Sequence, residues 1–153
     1  MKPITFCCRE TIRIAADDVV ARILDVEQWP DFQGYGLLPG IQRAEFEVRT
    51  AEVVGTRIRV TNTDGSSHVE QIVSWEPGVR LQMHMSEFSP PLSRLATGFD
   101  EIWEFEPQGD QTLVRRSFVL HARSPLARPA LWAISKLLKR AIARHLRQMR
   151  ETA

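Results

Sequence analysis

Residues 98–121 read GFDEIWEFEPQGDQTLVRRSFVLH. In the first half the odd positions Phe99, Trp103 and Phe105 are apolar; in the second half the even positions Val114, Phe118 and Leu120 are. A period of two on each side of a Pro-Gln-Gly-Asp break is the pattern of two half-buried antiparallel strands joined by a tight turn. With Gln108-Gly109 as the turn residues, Glu101 lies directly opposite Arg116. Both sit on the apolar faces of their strands. A charged side chain that points into an interior must find a partner, so this hairpin carries both the fold and the first candidate chemistry.

The same alternation recurs upstream. In ITFCCRETIRI (4–14), Ile4, Phe6, Cys8, Ile12 and Ile14 share a face, which Glu10 interrupts. Ala44, Phe46 and Val48 oppose Arg43, Glu45, Glu47 and Arg49, and Ile58 and Val60 oppose Arg57, Arg59 and Thr61. NTDGSS is a turn signal. HVEQIVSWE and VRLQMHMSE then form two strands joined through Pro77-Gly78, whereas Pro90-Pro91 keeps FSPPLSRLAT out of regular structure. Two segments are helical instead. In AADDVVARILDV, Asp17 is placed to cap a helix with Val19, Val20, Ile23 and Leu24 at helical spacing. From Pro129 to Arg150, Trp132, Leu138, Ile142, Leu146 and Met149 form one stripe, broadened by Leu131, Ile134 and Leu137. Lys136, Lys139, Arg140, Arg144, Arg147 and Arg150 decorate the rest of that helix.

The order is therefore strand, one or two short helices, about six consecutive strands, and one long helix. Strands with polar outer faces make a sheet with one side to water, and the long helix must cover the other. The expected class is α+β: a curved antiparallel sheet of about seven strands gripping a C-terminal helix. A single helix fills such a grip incompletely, so an internal cavity is expected between helix and sheet.

The bulk numbers agree. The chain has 153 residues, 43% hydrophobic and 25% charged, with a formal net charge of +1. That is enough for one core, and one domain over residues 1–153 is expected. The near-neutral balance gives no global attraction to nucleic acid, and the cations of the long helix suit a solvated face near a helix C-terminus. No apolar run approaches the roughly 20 residues of a membrane span, so no stable membrane insertion is expected. MKPITFCCRE has no apolar signal region, which points to the cytoplasm. Cys7 and Cys8 are neighbours on a strand and face opposite ways, so two reduced thiols are expected. No Cys/His cluster has metal-ligand spacing, and no cofactor is expected.

The opening strand with RETIRIAA, the helix segment ADDVVARILDVEQWPDF, SWEPGVRLQM, WEFEPQGDQTLVRRSF and the basic terminal helix together resemble the START-like (SRPBCC) superfamily, the helix-grip fold. More narrowly, the chain is similar to its polyketide cyclase/dehydrase-like and lipid-transfer-like bacterial members. The resemblance runs over nearly the whole chain. It implies a cavity-bearing fold but no single function, because the superfamily spans ligand carriers, aromatases and cyclases, quinone-binding proteins, plant allergens and chaperone-associated modules.

Candidate site residues follow from the violations of pattern. Glu101 and Arg116 either form an ion pair that bridges strands or anchor the polar end of a ligand; a β-bulge would turn one of them outward. Glu10, Asn62 and Gln71 also fall on plausible inner faces. Trp103, Phe118, Met83 and Met85, with Trp75, supply polarisable lining or ordinary core. In VEQWPDF (26–32), Pro30 fixes a bend that directs Trp29 and Phe32 inward or along the entrance, as a plug or a pocket lip. His84 is expected outside, His68 solvated, His121 near a cavity end, and His145 beside the helix stripe. The leading expectation is a binder of a small hydrophobic or amphipathic molecule such as a lipid, quinone or polyketide-like aromatic, as monomer or homodimer. The alternatives are a cyclase/aromatase or dehydratase-type enzyme using Glu101, Glu10 or His121, and a protein- or membrane-interaction module.

Overall fold

The alternating segments become seven strands of one antiparallel sheet, ordered β1-β7-β6-β5-β4-β3-β2, in a computed structural model that describes residues 1–153. The strands are β1 (Ile4–Ile12), β2 (Ile41–Val48), β3 (Arg57–Asn62), β4 (Ser67–Glu76), β5 (Arg80–Ser86), β6 (Ala96–Gln108) and β7 (Gln111–Ala122). Between β1 and β2 lie α1 (Ala16–Ile23) and a 3-10 helix (Val26–Asp31); the chain ends in α2 (Arg128–Glu151). From β2 onward each strand pairs with the next, and β1 closes against β7. This is the expected α+β helix-grip arrangement, and no helix is long and apolar enough to cross a membrane.

Helix α2 lies on β1 and, less extensively, on β7. The Cys8 thiol reaches the Lys139 carbonyl at 3.5 Å. Burial pushes that thiol up from its ordinary pKa; Cys7 is exposed, and both are free. Leu131, Leu138, Ile142, Leu146 and Met149 pack with Ile4, Cys8, Ile12, Val114 and Leu120 in the main core. Because α2 packs against β1 and β7, its direct packing does not extend to β4 and β5.

Several local expectations change. Trp132 is 51% exposed and lies under Lys136 Nζ at 4.9 Å from its ring; Leu131 and Ser135 take the buried side of that turn. Asp17 does not cap α1: Ala15 is the N-cap residue, and Asp17 sits in the first turn, where it favours the helix dipole. Val48 is exposed because the pairing shifts between Phe46 and Val48, which reverses the alternation. Leu92–Arg94 forms a short 3-10 turn, and Ala96-Thr97 already belong to β6. Glu10 does not enter the interior: it lies on the edge strand β1 and pairs with Arg150 at 3.0 Å.

Candidate functional site: the cavity under the sheet

The hairpin turn is one residue later than its sequence suggests. Gln108 pairs with Gln111, so Gly109-Asp110 is the turn, and Gly109 takes φ +65° at the first turn position, as a type II′ turn requires. Glu101 therefore faces Phe118 across the ladder, and Arg116 faces Trp103. The two charges still meet, diagonally: Arg116 Nε donates to Glu101 Oε1 at 2.5 Å. Glu101 is 1% exposed and Arg116 8%. The guanidinium lies 4.3 Å from the ring centre of Trp103, its cross-strand neighbour, and 5.6 Å from that of Phe118 on its own strand, so two aromatics hold it in place.

The pair opens onto a cavity of about 720 Å³ between the inner face of the sheet and α2. Its apolar walls come from Met83 and Met85 of β5, Phe99 and Trp103 of β6, Phe118 of β7, and Ile134, Leu137, Leu138 and Ile142 of α2. This explains the broad stripe on the helix: Ile134 and Leu137 face the cavity, while Leu131 and Leu146 face the strands. The mouth is framed by the 3-10 helix, the loop after it, and the Asn62–Ser67 turn, with Leu37 95% exposed at the rim. Trp29 is fixed there by its indole N–H, which donates to the Ile23 carbonyl at 2.8 Å. Phe32 meets the His145 ring edge-on at 5.8 Å. All eight residues expected at a ligand site (Glu101, Arg116, Trp103, Trp29, Phe32, Met83, Met85 and Phe118) line this one cavity.

Three further polar residues join them. His145, one turn of α2 beyond Ile142, receives a hydrogen bond from Arg116 Nη1 on its Nδ1 at 3.1 Å. Arg116 is always a donor, so Nδ1 accepts and the ring proton sits on Nε2. Burial, reinforced by the Arg116 charge, lowers the His145 pKa to about 3, which keeps the ring neutral at pH 7. On β4, Glu70 is 5% exposed and bonds His68 at 2.9 Å, and both line the cavity. Burial pushes the Glu101 carboxyl up from its ordinary value; the Arg116 charge opposes this and the nearby Glu70 charge adds to it. Glu101 Oε2, Arg116 Nη2 and His145 Nε2 make no protein hydrogen bond; the buried Trp103 indole N–H makes none of good geometry either, although it lies close enough to Glu101 to favour the ionised carboxylate.

Glu70 and His68 were hidden by parity. Val69 and Val73 make the odd positions of β4 look like the inner face, and Gln71 with them. A register shift between Ile72 and Ser74 instead puts His68, Glu70 and Ile72 inside, then switches phase so that Trp75, opposite Leu81, is inside. Gln71 accordingly pairs with His84 in the ladder and does not line the cavity, and Trp75 packs against the main core. His145 did carry a signal, a histidine at helical spacing from Leu138 and Ile142. His84 lies outside as expected, but His121 joins it there rather than a cavity end. Each bonds one oxygen of Asp100 at 2.8 Å. Burial alone would raise the Asp100 carboxyl, but these two bonds outweigh it and hold it below its usual range.

The family profile described as polyketide cyclase / dehydrase and lipid transport matches residues 6–153. The chain belongs to this family. No curated protein matches the sequence of this family member significantly. Among solved structures, it is similar to a START superfamily protein from Mycobacterium smegmatis (12% identity, TM-score 0.73, 97% of each chain). It is also similar to a protein from Thermus thermophilus (16% identity, TM-score 0.72, 97% of this chain and 95% of that one). A third is norcoclaurine synthase from Thalictrum flavum, solved with dopamine and hydroxybenzaldehyde (16% identity, TM-score 0.65, 97% and 87%). At these identities the likeness of the polyketide cyclase/dehydrase and lipid transport family member to them is one of fold.

Proposed function

We propose that this chain acts as one domain that binds a small hydrophobic or amphipathic molecule, such as a lipid, quinone or polyketide-like aromatic, for carriage or sequestration. The observation that carries this reading is an apolar cavity of about 720 Å³ whose lining includes the Glu101–Arg116–His145 cluster with polar atoms that no protein group uses. Pockets of roughly 300–1,000 Å³ with apolar walls and a few convergent polar groups suit small-molecule ligands. Met83, Met85, Trp103 and Phe118 hold the apolar body; Glu101 and Arg116 take the polar end; Trp29 and Phe32 close the entrance. Methionine walls adapt to more than one shape.

A second reading, an enzyme of cyclase/aromatase or dehydratase type, is favoured by one observation: a buried carboxyl, Glu101, that burial pushes up from its ordinary value. Binding ranks first because Glu101 is engaged by Arg116 and because neutral His145 serves as an acceptor for the same arginine. An interaction module without a pocket is disfavoured by the cavity itself.

Native mass spectrometry of protein purified gently from its expression host tests the reading. A species heavier than the chain, lost on denaturation and recovered by organic extraction, is the expected result. Bare protein that also binds no hydrophobic probe overturns it.

A further inference from the structure

Among the residues lining the cavity are four carboxylates (Asp31, Asp64, Glu70 and Glu101), two arginines (Arg22 and Arg116) and two histidines (His68 and His145). Asp31 and Asp64 are exposed at the mouth; the inner groups are Glu70, Glu101, Arg116, His68 and His145. The only fixed positive charge among the inner groups is Arg116, and Glu101 already neutralises it through the Nε–Oε1 bond. His145 is neutral, and Glu70 adds a second negative charge. Even with a proton on His68, which bonds Glu70, the inner cluster is no better than neutral. Among these inner groups no positive charge remains for an anion, although an arginine in an apolar cavity suggests at first sight a carboxylate anchor; Arg22, the other cation of the lining, belongs to α1 and not to this cluster.

The atoms without protein partners say what fits instead. Glu101 Oε2 is a free acceptor and His145 Nε2–H a free donor, on two side chains tied to the same guanidinium. A hydroxyl group donates once and accepts at its lone pairs, so it complements both in kind. A carboxylate offers no proton to Oε2 and places a third anion beside Glu101 and Glu70, in a setting where like charges cost most.

Building on the binding function proposed above, we propose that the inner end of the cavity takes a neutral hydroxyl group, phenolic or aliphatic, and rejects carboxylates, with Glu101 rather than Arg116 as the anchor. Arg116 then acts as a positioning residue: it holds the Glu101 carboxylate and fixes the His145 tautomer. The ligand class is that of neutral hydroxylated hydrophobes.

Isothermal titration with 2-naphthol and 2-naphthoate at pH 7.5 tests this with nearly isosteric probes. The expected result is at least about tenfold tighter binding of the naphthol. Glu101→Gln frees the Arg116 charge and should reverse the order, naphthoate becoming the tighter ligand. Should that variant fold poorly, Glu70→Gln serves: removing this negative charge should narrow the preference for naphthol over naphthoate, and an unchanged preference overturns the inference. Tighter binding of naphthoate by the unaltered protein overturns this inference but leaves the binding function standing. An unchanged order in Glu101→Gln also overturns it. Binding of neither compound overturns both.

Discussion

Replacing His145 tests whether the cavity holds a neutral histidine locked under Arg116. The ordinary histidine pKa of 6.5 falls to about 3 in the folded chain. The unfolded chain therefore binds more protons between those values, so stability rises with pH through the window. The contribution is fully present above pH 6.5 and is lost as pH falls toward 3. Between pH 7 and pH 5 the linkage amounts to about 2 kcal/mol, at 1.36 kcal/mol for each unit of separation. For a chain of this size that corresponds to roughly 4–8 °C in Tm. His145→Gln keeps an oxygen that can accept from Arg116 but does not titrate. The assay is urea or thermal unfolding of both proteins at pH 7 and pH 5. Other carboxylates titrate equally in both, so the wild type should lose about 2 kcal/mol more than the variant on acidification. Parallel losses would refute the reasoning, because His145 would then be titrating as it does in solvent.

The Glu101–Arg116 pair should behave as a unit: Arg116→Met alone leaves a buried carboxylate without its cation and should cost about 3–5 kcal/mol. Adding Glu101→Gln should recover a clear part of that loss in chemical denaturation, whereas additive losses would mean that the two side chains do not interact. At the mouth, Trp29→Phe removes the indole bond to Ile23 along with part of the ring and should cost at least about 1 kcal/mol, together with faster release of 2-naphthol in stopped-flow measurements. On the outer face, a Cβ at Gly98 would lie 2.8 Å from His84 Cε1 and 3.1 Å from the Met85 carbonyl. Gly98→Ala should therefore push His84 off Asp100 and lower stability by about 1–2 kcal/mol; most of that loss should vanish in a His84→Ala background.

The architecture could be read from periodicity because each strand has a wet face and a dry one, and a single long helix was the only cover available. Glu101 and Arg116 could be read for the complementary reason, as charges at positions where alternation demands apolar groups. Their exact register could not: it depended on whether Gly109 took the first or the second turn position, a choice local propensity leaves open. Phase reversals defeat alternation altogether. Glu70, His68 and Val48 occupy faces opposite to those their neighbours suggested, while the shift at Ile72/Ser74 leaves Trp75 inside after the change of phase. The role of His145 lay beyond pattern, because helical spacing reports which side a residue occupies but not which strand residue meets it. Trp132 shows the same limit, since a stripe wide enough to serve both sheet and cavity has edges that only packing defines.

The four tryptophans offer the most direct test of the central claim, that the cavity between sheet and helix is where a ligand binds. Trp103 lines its inner end and Trp29 its mouth, while Trp75 lies in packed core and Trp132 on the outer surface of α2. In a two-dimensional 1H–15N spectrum each gives one indole signal. On titration with 2-naphthol, the Trp103 and Trp29 signals should shift together and saturate, with Trp75 and Trp132 unmoved. Shifts confined to Trp132, or no saturable shift at Trp103, would contradict the account.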